Sequence, residues 1–210
     1  MGIENIIFDM DGTLVDSEFC SAQAMIDVLP EFSLNANDLL DKYRGTRLDW
    51  IIRDLSSEFG VPIDAGRAEL FRQRERALAP TLISLNAGVA EFLASNTVRC
   101  CIASNAPREK THRSLQICKI ADHFGERVYS AYDVDAWKPD PALFLHVARE
   151  EGFGVDQCLV VEDSAVGIDA AIAAGMSVVC FSSVKREVPA GVVGVIYDMR
   201  DLFDIIRSLD

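Results

Sequence analysis

The chain has 210 residues, half of them apolar, which suits one substantial packed domain with a modest insertion and excludes general disorder. Its 33 acidic against 20 basic residues leave a formal charge of −13, which argues against a nucleic-acid backbone or an anionic membrane as the main partner. No apolar run approaches ~18 residues and the N-terminus carries no basic-then-apolar leader, so a cytoplasmic chain that spans no membrane is expected.

Residues 3–8 are almost continuously apolar, as a strand covered on both faces would be. The run ends in Asp9-Met10-Asp11-Gly12-Thr13, whose two carboxylates leave the strand on one side. Like charges that close need a cation, a proton or both; taken alone, the stretch also reads as an acidic strand-ending turn. The pattern then turns helical over residues 15–83. Ser17-Glu18 opens a helix that runs to Leu29 and stops at Pro30. Asn35 or Asn37 caps a short helix carrying Leu39, Leu40 and Tyr43. Leu48, Ile51, Ile52, Leu55 and Phe59 recur at helical spacing, with Gly60 and Pro62 ending that helix. Asp64 caps a fourth, with Leu70, Phe71 and Leu78 on its apolar stripe, finishing before Pro80. No strand-like run interrupts this block, which reads as a four-helix unit of its own, inserted early.

From residue 84 strands and helices alternate. A helix carries Val89, Phe92 and Leu93, and Thr97 to Ala103 reads as a buried strand. A helix from Pro107 holds Leu115 and Ile117, and a short strand follows at Val128-Tyr129. Asp140-Pro141 opens a helix through Arg149. Leu159-Val160-Val161 is a strand, Val166 to Ala174 a helix ended by Gly175, and Val178 to Phe181 another strand. A strand near Val192–Tyr197 and a helix from Asp201 complete the chain. Short-linked alternation predicts an α/β fold with a mostly parallel sheet between helices, built from residues 1–14 and 84–210.

Six cysteines (20, 100, 101, 118, 158, 180) show neither CxxC nor Cys/His spacing and read as buried reduced thiols. His112, His123 and His146 are dispersed without mutual metal spacing. Arg72, Arg74 and Arg76 alternate along a helix, so a solvated face is their default reading.

In such a sheet, ligands bind beyond the carboxyl ends of the strands. The first strand ends in Asp9 and Asp11, the second in Ser104-Asn105, and the fourth in Glu162-Asp163-Ser164; Lys138 follows the third. Singly, Ser104 is also a helix cap, Lys138 a surface lysine and Glu162-Asp163 an acidic turn. Together they offer carboxylates, a hydroxyl at a helix N-terminus and an ammonium, a set suited to phosphoryl transfer with a magnesium ion.

Phe8-Asp9-Met10-Asp11-Gly12-Thr13-Leu14-Val15-Asp16-Ser17, Ser104-Asn105, Lys138-Pro139-Asp140-Pro141 and Val161-Glu162-Asp163-Ser164 resemble the four motifs of the haloacid dehalogenase superfamily, in its order and spacing. Ala165 to Met176, with Gly167, Ala170-Ala171 and Ala174-Gly175-Met176, also resembles the family's helix after the fourth motif, and the resemblance covers essentially the whole chain. It implies a Rossmann-like core, 1–14 and 84–210, with an inserted helical cap domain at 15–83. It also implies a phosphatase in which Asp9 is the nucleophile that forms an aspartyl-phosphate and Asp11 the general acid–base. Mg²⁺ would lie on Asp9, the backbone carbonyl of Asp11 and Asp163, with Glu162 a further ligand, direct or through water. Ser104 and Asn105 would hold phosphoryl oxygens, and Lys138 would offset charge on the phosphate and Asp9.

The cap is expected to choose the substrate. Tyr43-Arg44-Gly45-Thr46-Arg47, between two cap helices, is the stretch singled out, either as a basic helix end or as a contact to a second anionic group. This stretch and Tyr132 to Leu143 look most like the family's bacterial 6-phosphogluconate phosphatase branch. The partner expected is thus a small phosphorylated metabolite such as a sugar acid, its carboxylate near Arg44, Gly45, Arg47 or Arg72. The runner-up, a mutase of the β-phosphoglucomutase type, carries a histidine where Ser21 stands here. An inorganic pyrophosphatase and a non-catalytic binding module are the remaining alternatives. A monomer is expected, with a homodimer as the alternative.

Overall fold

The computed structural model describes residues 2–43, 46, 48–184 and 187–209. It divides the chain into two compact units, Met1–Val15 with Leu85–Asp210, and Asp16–Ser84. The first unit holds β1 (Asn5–Phe8); β2 (Val15–Asp16) and β3 (Ser84–Leu85) are the two crossings between units and pair as a two-stranded ladder. Within the first unit follow β4 (Arg99–Ser104), β5 (Val128–Ser130), β6 (Cys158–Glu162), β7 (Ser177–Phe181) and β8 (Gly194–Ile196).

These form one six-stranded sheet in the order β5-β4-β1-β6-β7-β8, and every pairing is parallel. The predicted parallel α/β sheet is therefore what the chain forms. Register places Phe8 beside Ile102 on one neighbour and Val161 on the other, so the carboxyl ends of β1, β4 and β6 lie level. Chain order runs outward from β1 to β4 and β5, then crosses to β6 on its other side. That reversal makes β1 the switch point, where loops on either side diverge and leave a crevice.

Both faces of β1 are covered, which explains its apolar run Ile6-Ile7-Phe8. Ile7 joins Ala103, Val160 and Val178 against Leu143, Phe144 and Val147 of α9 (Ala142–Glu151) and Ile168 and Ala171 of α10 (Ala165–Ala173). Phe8 points the other way and meets Phe92 of α5 (Val89–Ser95) and Phe124 of α7 (Ala121–Phe124) edge-on, at centroid distances of 6.0 and 6.3 Å. Phe203 of α11 (Leu202–Leu209) packs on Phe92 at 4.7 Å. The remaining helices of this unit are α6 (Arg108–Ile117) and α8 (Ala131–Val134). All six cysteines are free, five of them buried, and burial pushes the Cys100 thiol up to about 12. No helix of the described residues is long and apolar enough to cross a membrane.

The second unit consists of α1 (Glu18–Val28), α2 (Ala36–Tyr43), α3 (Leu48–Phe59) and α4 (Ala65–Leu82). Met25, Leu29, Phe32, Leu39, Tyr43, Leu55 and Phe71 form its core, and Phe32 stacks on Phe59 at 4.4 Å. Asn35, not Asn37, caps α2 by accepting the backbone N–H of Asn37 at 2.8 Å. Helix α4 does not stop before Pro80. It continues to Leu82, because Ile83 N–H still reaches the Ala79 carbonyl at 3.0 Å and proline removes one donor without ending the helix.

Candidate active site

Asp9 stands one residue beyond β1, and its backbone N–H extends the ladder to the Val161 carbonyl at 2.9 Å. The chain then turns back sharply: Leu14 and Val15 N–H both reach the Met10 carbonyl at 3.1 Å. Gly12 sits in this turn at φ 92°, a conformation that L side chains rarely adopt. A β-carbon there would also collide with the Asp163 carboxylate. Asn86 pins the turn by donating to the Gly12 and Thr13 carbonyls at 2.9 Å each. The Thr13 hydroxyl donates to Asp163 at 3.0 Å and ties the ends of β1 and β6 together.

Lys138 reaches into the middle of this arrangement. Its ammonium donates to Asp9 Oδ1 at 2.6 Å, Glu162 Oε1 at 2.6 Å and the Ala103 carbonyl at 2.8 Å, which uses all three of its protons. The other oxygen of Glu162 accepts from the backbone N–H and the hydroxyl of Ser164, both at 2.9 Å. Asn105, grouped with Ser104 by sequence position, turns its carboxamide to the Lys138 backbone, accepting its N–H at 2.9 Å. Ser104 is buried at the end of β4, where its oxygen accepts the Ala106 N–H at 3.0 Å and leaves its own O–H to donate.

Asp9, Glu162 and Asp163 are all buried, and one carboxylate oxygen from each lies within 4.8 Å of the others. Burial pushes the Asp9 carboxyl well above the usual carboxylate range; Lys138 opposes this, and the Glu162 and Asp163 charges add to it. Burial also works against the Lys138 ammonium, but Asp9 and Glu162 outweigh it and hold Lys138 protonated. Asp11 is partly exposed, with its Oδ2 at 3.6 Å from the Lys110 ammonium on α6.

The chain's residues 3–175 match the family model for haloacid dehalogenase-like hydrolases. The chain belongs to this family. This haloacid dehalogenase-like hydrolase is 33% identical over 190 residues to the 6-phosphogluconate phosphatase of Escherichia coli strain K12, covering 89% of this chain and 86% of that protein. It shares 30% identity and a TM-score of 0.85 with the crystal structure of a conserved haloacid dehalogenase-like protein of unknown function from Agrobacterium tumefaciens str. C58, each covered over 99% of its length. A family hydrolase from Deinococcus radiodurans R1, solved with bound phosphate and sodium, is similar at 25% identity and a TM-score of 0.79, over 99% of this chain and 96% of that one.

In this hydrolase three buried carboxylates cluster and one ammonium pairs with two of them, leaving an excess of negative charge and only oxygen donors. That donor set fits a hard divalent cation. The structure brings together Asp9, Lys138, Glu162 and Asp163; Asp11, two residues beyond Asp9, has its carboxylate 3.6 Å from Lys110. Arg72 lies in the helical unit, half-exposed and 3.5 Å from Glu69. Arg44, Gly45 and Arg47 lie outside the described residues. Further contributors are Thr13 and Asn86, which lock the turn; Ser164, which holds Glu162; Gly167, which leaves it room; and Lys110. Thr13, Ser164 and Gly167 lie in stretches that carry the family resemblance, whereas Asn86 and Lys110 have no signal in the sequence.

Proposed function

We propose that the chain is a magnesium-dependent phosphatase that hydrolyses a small phosphorylated sugar or sugar acid through an aspartyl-phosphate on Asp9. The observation that carries this reading is the buried ammonium of Lys138, shared between Asp9 and Glu162 at 2.6 Å each. It fixes the orientation of the Asp9 carboxylate and places positive charge where a phosphoryl group would arrive. In the first step Asp9 attacks phosphorus, the ester P–O bond breaks, and Asp11 gives the departing oxygen a proton. In the second, Asp11 takes a proton from water, the water oxygen bonds to phosphorus, and the Asp9–phosphorus link breaks. Ser104 donates its hydroxyl to a phosphoryl oxygen. Asp9, Asp163 and the backbone carbonyl of Asp11 would hold the magnesium ion, with Glu162 beside them. When bound, that ion neutralises the clustered carboxylates and the phosphoryl charge.

Residues 16–84 serve in this reading as the cap that selects the substrate. The likeness to a 6-phosphogluconate phosphatase supports a phosphorylated sugar acid, with Arg44, Arg47 and Arg72 available for its carboxylate. Ser21 speaks against the mutase. Its hydroxyl donates to Glu75 at 2.6 Å, and a serine lacks the titratable imidazole of the mutase histidine.

The test is phosphate release from a panel of sugar phosphates, with magnesium and with a chelator. Release that chelation removes and Asp9→Asn abolishes is expected. Hydrolysis indifferent to chelation, or isomerisation of a sugar phosphate without phosphate release, would replace this reading.

A further inference from the structure

Each carboxylate of the Asp9–Asp11 pair has a different lysine beside it. Lys138 serves Asp9 from the loop before α9, and Lys110 stands 3.6 Å from Asp11 Oδ2 on α6. The placement of Lys110 is unusual in physical terms. It lies in the first turn of α6, where its backbone N–H reaches the Pro107 carbonyl at 2.9 Å. A cation there faces the positive end of the helix dipole, the end at which acidic side chains are normally favoured. The neighbouring cations of this helix are directed elsewhere: Arg108 to Asp133 at 2.7 Å and Arg113 to Glu109 at 3.4 Å. Lys110 is mostly covered, with a quarter or less of its side chain exposed, so its ammonium is held over the Asp11 carboxylate and not extended into water.

We infer that Lys110 is the positioning residue for Asp11, holding that carboxyl group in the orientation from which it protonates the leaving oxygen. The inference rests on the phosphatase reading, in which Asp11 is the general acid. Asp11 extends from a turn locked through Gly12, Thr13 and Asn86, so its backbone is fixed while its side chain still has rotamers to choose among. The Lys110 ammonium at 3.6 Å attracts the ionised carboxylate and can also donate an N–H to the carbonyl oxygen of the protonated acid, so it restricts that choice in both forms. The consequence depends on the leaving group. An alkoxide from a sugar phosphate is a strong base and needs the proton as it departs. p-Nitrophenolate is a weak base and departs without one. A residue that aims Asp11 therefore discriminates between the two substrate types, whereas one that supports the fold or the phosphate does not.

The experiment compares kcat and KM of the full chain with magnesium for a sugar phosphate and for p-nitrophenyl phosphate, in wild type, Lys110→Met and Lys110→Arg. With Lys110→Met, kcat for the sugar phosphate is expected to fall roughly tenfold or more beyond its fall for p-nitrophenyl phosphate. Lys110→Arg, which keeps the charge, is expected to restore most of that ratio. Equal losses on both substrates, no loss on either, or a change confined to KM would overturn the inference while leaving the phosphatase reading intact. Wild type that releases no phosphate from either substrate would instead overturn the phosphatase reading, and the role of Lys110 with it.

Discussion

A β-carbon on Gly167 would overlap the carboxylate of Glu162, so the start of α10 and the end of β6 approach as closely as glycine alone permits. Glu162 is fully buried and carries Lys138 on one oxygen and Ser164 on the other. Gly167→Ala must therefore displace Glu162 and with it the ammonium that orients Asp9. The predicted result is a fall in kcat of about 10²-fold, with a stability loss of about 1–3 kcal/mol from overpacking. Steady-state kinetics beside thermal melts check both, and full activity in this variant would detach Glu162 from the chemistry.

Asp9 also makes stability depend on pH in a direction that can be worked out. Its ordinary value is 3.8, and burial raises it in the folded state. Below that value both folded and unfolded chains hold the proton. As pH rises past it, the unfolded chain releases the proton first, so the contribution of Asp9 to stability declines until the raised folded value is passed. Asp9→Asn has no such proton. In metal-free buffer its melting temperature is therefore expected to gain on wild type as pH rises from about 4 toward 7. Magnesium, stabilising the ionised carboxylates of wild type, should narrow the gap. Melts of both proteins across that range decide it, since a difference independent of pH would contradict the stated charge environment.

The cysteines make a simpler case. Five of the six are buried and Cys118 is partly exposed. Burial holds the Cys100 and Cys101 thiols above their ordinary range, so neither supplies thiolate at neutral pH. A thiol reagent is expected to label Cys118 first in the native protein and all six after denaturation. Rapid labelling of several thiols in the native state would show that the sheet is not packed as described.

The segment Tyr43–Arg47 can be examined through its chemistry. If Arg44 meets a second anionic group on the substrate, Arg44→Ala should raise KM for a phosphorylated sugar acid by about tenfold. KM for p-nitrophenyl phosphate, which has no such group, should rise much less. Equal changes for both would remove Arg44 from recognition.

The parallel sheet was legible because the middles of β1, β4, β6 and β7 are buried on both faces and read as short apolar runs. The cluster of Asp9, Lys138, Glu162 and Asp163 was legible for a related reason, since most of its members mark the point where such a run stops. What escaped was set by neighbours distant in sequence. Lys110 has no local signature, because its meaning lies in a carboxylate on another strand end. Gly167 is marked in the sequence only by the family resemblance of its helix, and the reason for a glycine there appears when the Glu162 carboxylate is placed beside it. Helices α7 and α8 are four residues each, too short to display a helical period. Pro80 misled because a proline near a helix C-terminus costs one hydrogen bond, which packing of the remaining turn can absorb.

Asp9 is expected to become covalently phosphorylated during turnover. The most direct test of this step is an acid quench of the enzyme in its first turnover with a sugar phosphate and magnesium, followed by peptide mass analysis. One added phosphoryl group is expected on the peptide containing Asp9, and none in Asp9→Asn. Phosphate release with no phosphorylated peptide at any time point, or with the label on another residue, would contradict it.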